Sequence, residues 1–389
     1  MGDGPMETSV LPECGAGLNA TRCGGTDVLW HERPDFAQLT ALWDMLPGGA
    51  VSSPFQTPEF LDCFFRGLAP GTCETFGVLA AHRPGAAEPC VLLPLIHYSK
   101  GSVRFASCPD LGVSDQNAPV LSRSQAGDGE AMVLAMCSDM MWGIKGADVV
   151  DVKKVHGTIG TTPNPLFHLP EAMDESATLF FDADALAAVG QGSKKKGVYK
   201  KAGASFRKLE KEGVRLVEVT SPAARLDILD AMMAMREERF RTLGRANSLK
   251  QDNREGFYRS LAGHSGSGNP IRILALKTDE ELVAAVVMLA KDRFVNGILT
   301  SIGSERWQRF SPGMVMLVQS VYWARDNGIR IYNFGTGLQA YKSRFGAVEQ
   351  PTRRLLVPLT IKGRAAVMAF NAKRRISDIL RNLGEKSAP

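Results

Sequence analysis

The chain has 389 residues, 44% hydrophobic and 22% charged, the proportions of a soluble globular protein with enough length for two domains. A net charge of +5 suits polyanionic ligands but is too small to argue for nucleic acid by itself. No apolar run reaches the ~20 residues of a membrane helix, and Met1–Leu18 lacks a basic start followed by an apolar core, so a cytoplasmic protein without a signal peptide is expected.

Seven cysteines all fall in the first 140 residues, with no CxxC pair. Reduced, mostly buried thiols are expected rather than disulfides or zinc. The six histidines show no metal spacing, and no metal is expected.

In chain order, residues 1–25 are Gly-rich and aperiodic and read as a disordered tail. Thr26–Glu32 reads as a strand. Phe36, Leu39, Leu42, Trp43 and Leu46 make one helical face, and a second helix begins at Pro54–Pro58. Thr75–His82, Pro89–Tyr98 and Ser102–Ser107 read as strands, Glu130–Lys145 as a helix and Ala147–Val155 as a strand. Residues 161–184, with three prolines, read as a linker.

The second half repeats this order. Val214–Val219 reads as a strand and Pro222–Leu243 as a long helix with a break. A helix over Arg254–Leu261 precedes strands over Ile271–Lys277, Leu282–Ala290 and Phe294–Ile302. The two lobes are thus residues 26–160 and 185–360, alike in element order and not in sequence. Residues 361–389 read as a basic amphipathic helix, packed on the core or touching an anionic membrane face.

The stretch Arg309–Ala347 carries the chemistry. Ser311 is expected to cap a helix with its hydroxyl. Pro312 suits the first helical position, and Asn327-Gly328 ends the helix. A strand over Ile329–Phe334 ends at Gly335 and Gly337, close before Tyr341 and Lys342. A helix N-terminus seats an anion, while a Tyr-Lys pair offers a proton donor and a cation. An acyl thioester with a phosphate tail needs both. Gln125–Gly129 is a rival phosphate loop in the first half. The basic segment Lys194–Lys211 reads as a solvated face or as one meeting a nucleotide or RNA, with only Tyr199 and Phe206 interleaved.

Ser311-Pro312-Gly313, Asn333-Phe334-Gly335, Tyr341-Lys342 and Phe345-Gly346, together with the upstream basic segment and Pro54–Pro58, resemble the GNAT-type acyltransferases found with bacterial cellulose and exopolysaccharide genes. Those share a double-GNAT architecture with the Fem peptidoglycan aminoacyltransferases. The resemblance covers Ala185–Val357 well and the N-terminal half loosely. The usual phosphate loop, Gln/Arg-x-x-Gly-x-Gly/Ala, is matched imperfectly, since Arg309 lies four residues before Gly313 and Met314-Val315 follow.

The resemblance implies an α/β (α+β) fold of two tandem GNAT-like lobes, each a mixed twisted sheet flanked by helices. It implies N- or O-acyl transfer, with acetyl-CoA or another acyl-CoA as co-substrate and a saccharide or other polar acceptor. Tyr341 would protonate the departing thiolate and Lys342 stabilise the oxyanion or a phosphate. Arg309, Ser311, Gly313 and Met314 would seat the donor's phosphates, with Asn333 at the strand end. Arg236, Glu237, Glu238 and Arg239 are candidates to line the acceptor cleft, Glu238 as base. Two alternatives stand beside this reading: Fem-like transfer from charged tRNA, and a non-catalytic protein that kept the fold.

Overall fold

The computed structural model describes residues 21–125, 130–189, 197–336 and 340–386. The first lobe comprises β1 (Thr26–Glu32), α1 (Phe36–Asp44), α2 (Pro58–Gly67), β2 (Thr75–His82), β3 (Pro89–Lys100), β4 (Val103–Ser107), α3 (Glu130–Gly143) and β5 (Val149–His156). The chain then forms β6 (Ala172–Phe181), α4 (Val198–Lys211), β7 (Arg215–Val219), α5 (Pro222–Thr242) and α6 (Arg254–Gly263). It closes with β8 (Ile271–Lys277), β9 (Leu282–Lys291), β10 (Phe294–Ile302), α7 (Pro312–Asp326), β11 (Ile331–Thr336), α8 (Ala340–Ser343), β12 (Val348–Pro358) and α9 (Ile361–Lys386).

Local chemistry accounts for the helix starts. Asp35 and Gln38 form a reciprocal capping box on α1. Thr57 and Ser221 cap α2 and α5 by accepting backbone N–H bonds, each followed by proline at the first helical position. β9 reads LVAAVVMLAK because it is central, with helices over both faces.

The strands join in one mixed sheet, ordered β1-β2-β3-β4-β5-β12-β6-β11-β10-β9-β8-β7. The same path occurs twice. β1 to β4 are antiparallel neighbours and β5 runs parallel to β4; β7 to β10 are antiparallel and β11 runs parallel to β10. The repeat of element order expected from the sequence is therefore a repeat of topology.

The lobes are joined by core and by backbone. Phe60 on α2 meets Phe257 on α6 edge-on at 5.1 Å, inside one apolar cluster drawn from both halves. β12 pairs with β5 on one side and β6 on the other. Arg354 on β12 clamps the buried Asp151 of β5 with two bonds, 2.6 and 2.7 Å.

Several expectations need correction. Residues 21–23, placed in the tail, pair with β1; residues 1–20 lie outside the described residues. The stretch 161–184 is no plain linker: Pro165 starts a short helix behind the Asn164 cap, and Ala172–Phe181 is a strand inside the sheet. Its Asp174 and Glu175 disguised it, because they sit where the strand is exposed. The helix from Pro222 runs to Thr242 with no break. The cysteines described are free.

α9 starts against Asp148. That carboxylate accepts from the Arg104 backbone N–H and Thr360 Oγ1 and pairs with Lys362; the Arg104 bond is the chief cause that holds its pKa down to about 2. Gly363 packs so closely that an added Cβ would meet the Asp148 carbonyl oxygen. Gly363→Ala therefore destabilises the protein by about 1–3 kcal/mol despite alanine's better helix propensity, because a backbone atom has to shift. Denaturant midpoints at constant m-value measure this loss.

Candidate functional site

The site grows out of the place where β10 and β11 part. They pair in parallel only at Phe294–Ile331, Val295–Tyr332 and Asn296–Asn333. Beyond that point β10 carries an extra residue, Ile298, opposite the Val287–Met288 step of β9. Such a bulge bends the strand away. β11 is held toward β6 instead. Thr178 Oγ1 lies 2.7 Å from Asn333 Oδ1 and 3.0 Å from Gly335 O, and Asn333 Oδ1 accepts from Gly335 N at 3.0 Å. Gly335 has φ +79°, and a Cβ there would meet Gly297 O at 2.7 Å. Only glycine fits the turn.

The gap is a polar cleft of about 400 Å³, lined among others by Asp115, Arg236, Tyr258, Thr300, Tyr332 and Lys342. A larger groove of about 680 Å³ lies elsewhere, beneath α9. We take the smaller one as the candidate site, because it lies in the gap between the parted strands and has the buried Lys342 in its lining.

Lys342 is the central group. It is only 3% exposed, and its Nζ donates to Gly335 O at 3.2 Å. Burial lowers its pKa to about 8, with the Asp115 carboxylate acting the other way. Asp115 comes from the first lobe and accepts from Asn296 Nδ2 at 3.2 Å, across the lobe boundary. Tyr258 is buried on α6; burial first, and Asp115 second, raise its phenol. Arg236 donates from Nε to Asn247 Oδ1 at 3.1 Å and stacks on Phe240 at 4.4 Å.

The corresponding gap in the first lobe is filled. β4 and β5 pair only at Phe105–Val149 and Ala106–Val150. From the end of β4 the chain closes on β5: Ser107 Oγ donates to Asp151 O, Asn117 N to Lys154 O, and Lys154 Nζ to Ser114 O. The plug carries Asp115 into the second lobe's cleft. Of the rival loop Gln125–Gly129, residues 126–129 lie outside the described residues.

The other sequence-derived candidates separate. Lys342 lines the cleft; Tyr341 precedes it on α8, with its side chain outside the described residues. Asn333 is buried beside the cleft, its carboxamide oxygen engaged with Gly335 and Thr178. Glu238 is not in the cleft. It is exposed and bonded to Arg241, the chief cause of its lowered pKa, while Arg236 from the same helix lines the site.

Ser311 does not cap α7 with its hydroxyl. Its backbone is left-handed, φ 51°, whereas side-chain capping uses extended backbone. Its carbonyl accepts from Met314 N and Val315 N. Gly313 lets the helix start close against β10, since a Cβ would meet Ile302 Cδ1 at 2.6 Å. Met314 packs at the edge of the lobe's core. Arg309 is exposed, 3.5 Å from Glu212 and over Phe310. On α4, Lys200, Lys201, Arg207, Lys208 and Lys211 are exposed, while Tyr199 is buried with its hydroxyl donating to Phe345 O. Lys194–Lys196 lie outside the described residues.

Residues 196–343 match the model of the acetyltransferase (GNAT) domain family. The chain carries a tandem GNAT-like fold. No curated protein matches it by sequence. Among solved structures, the C-terminal domain of a protein described as a lysylphosphatidylglycerol synthetase, from Agrobacterium fabrum, aligns at TM-score 0.51 and 12% identity, covering 86% of this chain and 96% of that one. L-PGS from Bacillus licheniformis aligns at 0.51 and 14%, covering 88% and 97%. A conserved protein of unknown function from Bacteroides thetaiotaomicron aligns at 0.51 and 11%, covering 84% and 98%. At these identities the likeness is one of fold.

Sequence reasoning missed Asp115 and Tyr258. Asp115 sits in a loop of the other lobe, 181 residues from Asn296, so no local pattern marks it. Tyr258 looks like an ordinary member of the buried face of α6.

Burying Lys342 costs stability while it is charged. Its folded pKa of about 8 lies below the ordinary 10.5, so the unfolded chain holds more protons between those values. Stability therefore rises as pH climbs through that window. Lys342→Met removes the slope and raises the melting temperature at pH 7 by about 2–4 °C, read by calorimetry across pH.

Proposed function

We propose that the protein is an acyltransferase whose reaction takes place in the second GNAT-like lobe, between the parted ends of β10 and β11. The observation that carries this reading is Lys342: a buried amine of pKa about 8, facing a polar cleft where two parallel strands separate. Such a gap admits an extended acyl donor, and a low-dielectric site strengthens any charge fixed beside it.

The donor we favour is an acyl-CoA, acetyl by preference. Its phosphates would lie at the start of α7 near Arg309, Ser311, Gly313 and Met314. The acceptor, an amine or hydroxyl of a sugar or other polar molecule, would enter from the side of Arg236 and Tyr258. Its nitrogen or oxygen attacks the thioester carbon and gives up a proton to solvent. The carbonyl oxygen becomes an oxyanion, which protonated Lys342 stabilises. The carbon–sulfur bond then breaks, and the leaving thiolate takes a proton, for which Tyr341 is our candidate donor. A role in exopolysaccharide or cellulose synthesis rests on the resemblance described above.

A second reading keeps an aminoacyl-tRNA as donor. The exposed cations of α4 support it, since a row of five on one helix suits a phosphate backbone. Thermal-shift titration separates the two: acetyl-CoA stabilises the protein under the first, and only charged tRNA under the second.

If Lys342 acts as a cation, turnover falls as pH rises through about 8. Lys342→Gln lowers kcat by about 10²–10³-fold and abolishes that limb, with a smaller change in donor KM. A rate that instead rises through pH 8 assigns Lys342 as a base and rejects the oxyanion role.

A further inference from the structure

α9 carries apolar residues on two sides. One side is docked. Gly363 packs against Asp148, Lys362 Nζ lies 2.9 Å from Asp148 Oδ2, and Arg374 donates to Asp174 O at 2.6 Å. Arg354 stacks on Phe370 at 4.3 Å, and Val367 lines the groove over the first lobe's sheet. The other side faces solvent. Ile361 is 86% exposed, Met368 72% and Ile376 59%, the three most exposed large apolar side chains among the described residues. With the exposed Ala365 and Ala372 they recur at three- and four-residue spacing, which places them in one stripe.

The charges around the stripe decide what covers it. Residues 361–376 contain five cations and no acid. By helical geometry Arg364 and Arg375 flank the stripe on one side and Lys373 on the other, while Lys362 is turned back onto Asp148 and Ser102. A second copy of the helix would bring basic flank against basic flank, whichever way it ran, and like charges across a seam repel. A surface of anionic lipid headgroups complements both flanks, while the stripe enters the acyl boundary and long basic side chains reach back to the phosphates. Because the inner side is already held, the stripe is presented without undocking the helix.

We propose that α9 binds the surface of an anionic bilayer through Ile361, Met368 and Ile376, with its flanking cations on the lipid phosphates. The test is co-sedimentation of the full chain with vesicles of phosphatidylcholine, alone or with about one third phosphatidylglycerol. The protein pellets with the anionic vesicles and less as salt rises. Met368→Glu/Ile376→Glu lowers the partition coefficient about tenfold or more. Both positions are exposed, so thermal unfolding stays unchanged. No pelleting, equal partition into neutral vesicles, or an unaffected double variant overturns the proposal. So does a dimer in sedimentation velocity that the double variant dissociates, which would assign the stripe to a second copy.

Discussion

The second lobe depends on two parallel strands that pair over three residue steps and then separate. Every interstrand bond missing beyond Asn296 and Asn333 would be a cost in a sheet interior. The structure meets that cost on each side in its own way. β10 turns off through an extra residue, and β11 is drawn to β6 through Thr178 and the amide of Asn333. What remains between them is a polar space with a lysine at its end. Buried charge is normally avoided, and a buried lysine beside an opening is what marks this cleft as the candidate site.

The two lobes share a path and differ in what they do with it. In the first, the corresponding separation is closed by the segment after β4, which bonds to β5 through Asn117 N on Lys154 O. That segment then projects Asp115 into the other lobe, where it tempers the desolvation of Lys342. The first lobe is thus a wall of the site. A shared apolar core, with Phe60 against Phe257, fixes the wall in position.

The element order was readable because each strand and helix carries its own periodicity, and Ile271–Lys277 and Phe294–Ile302 fall where the pattern places them. Lys342 was readable from the glycine-ended strand before it. What failed to show were features set by distant or neighbouring backbone. β6 was hidden by acidic residues on its exposed part. Ser311 looked like a side-chain cap, but its left-handed backbone turns the hydroxyl's usual role over to its carbonyl. Glu238 and Arg236 are two residues apart on one helix, and only the packing of α5 decides which faces the cleft. Asp115 had no signal, since its role exists only across the lobe boundary.

The position of β12 has a consequence for biosynthesis. This strand comes near the end of the chain, yet it lies in the sheet between β5 of the first lobe and β6. As the chain leaves the ribosome, β5 and β6 both emerge long before the strand that joins them. The first lobe therefore keeps one edge unpaired from the release of β5 until residues 348–358 emerge, a liability for misassociation. The sheet becomes continuous only when residues 348–358 are released, so maturation of both halves converges on a single late event.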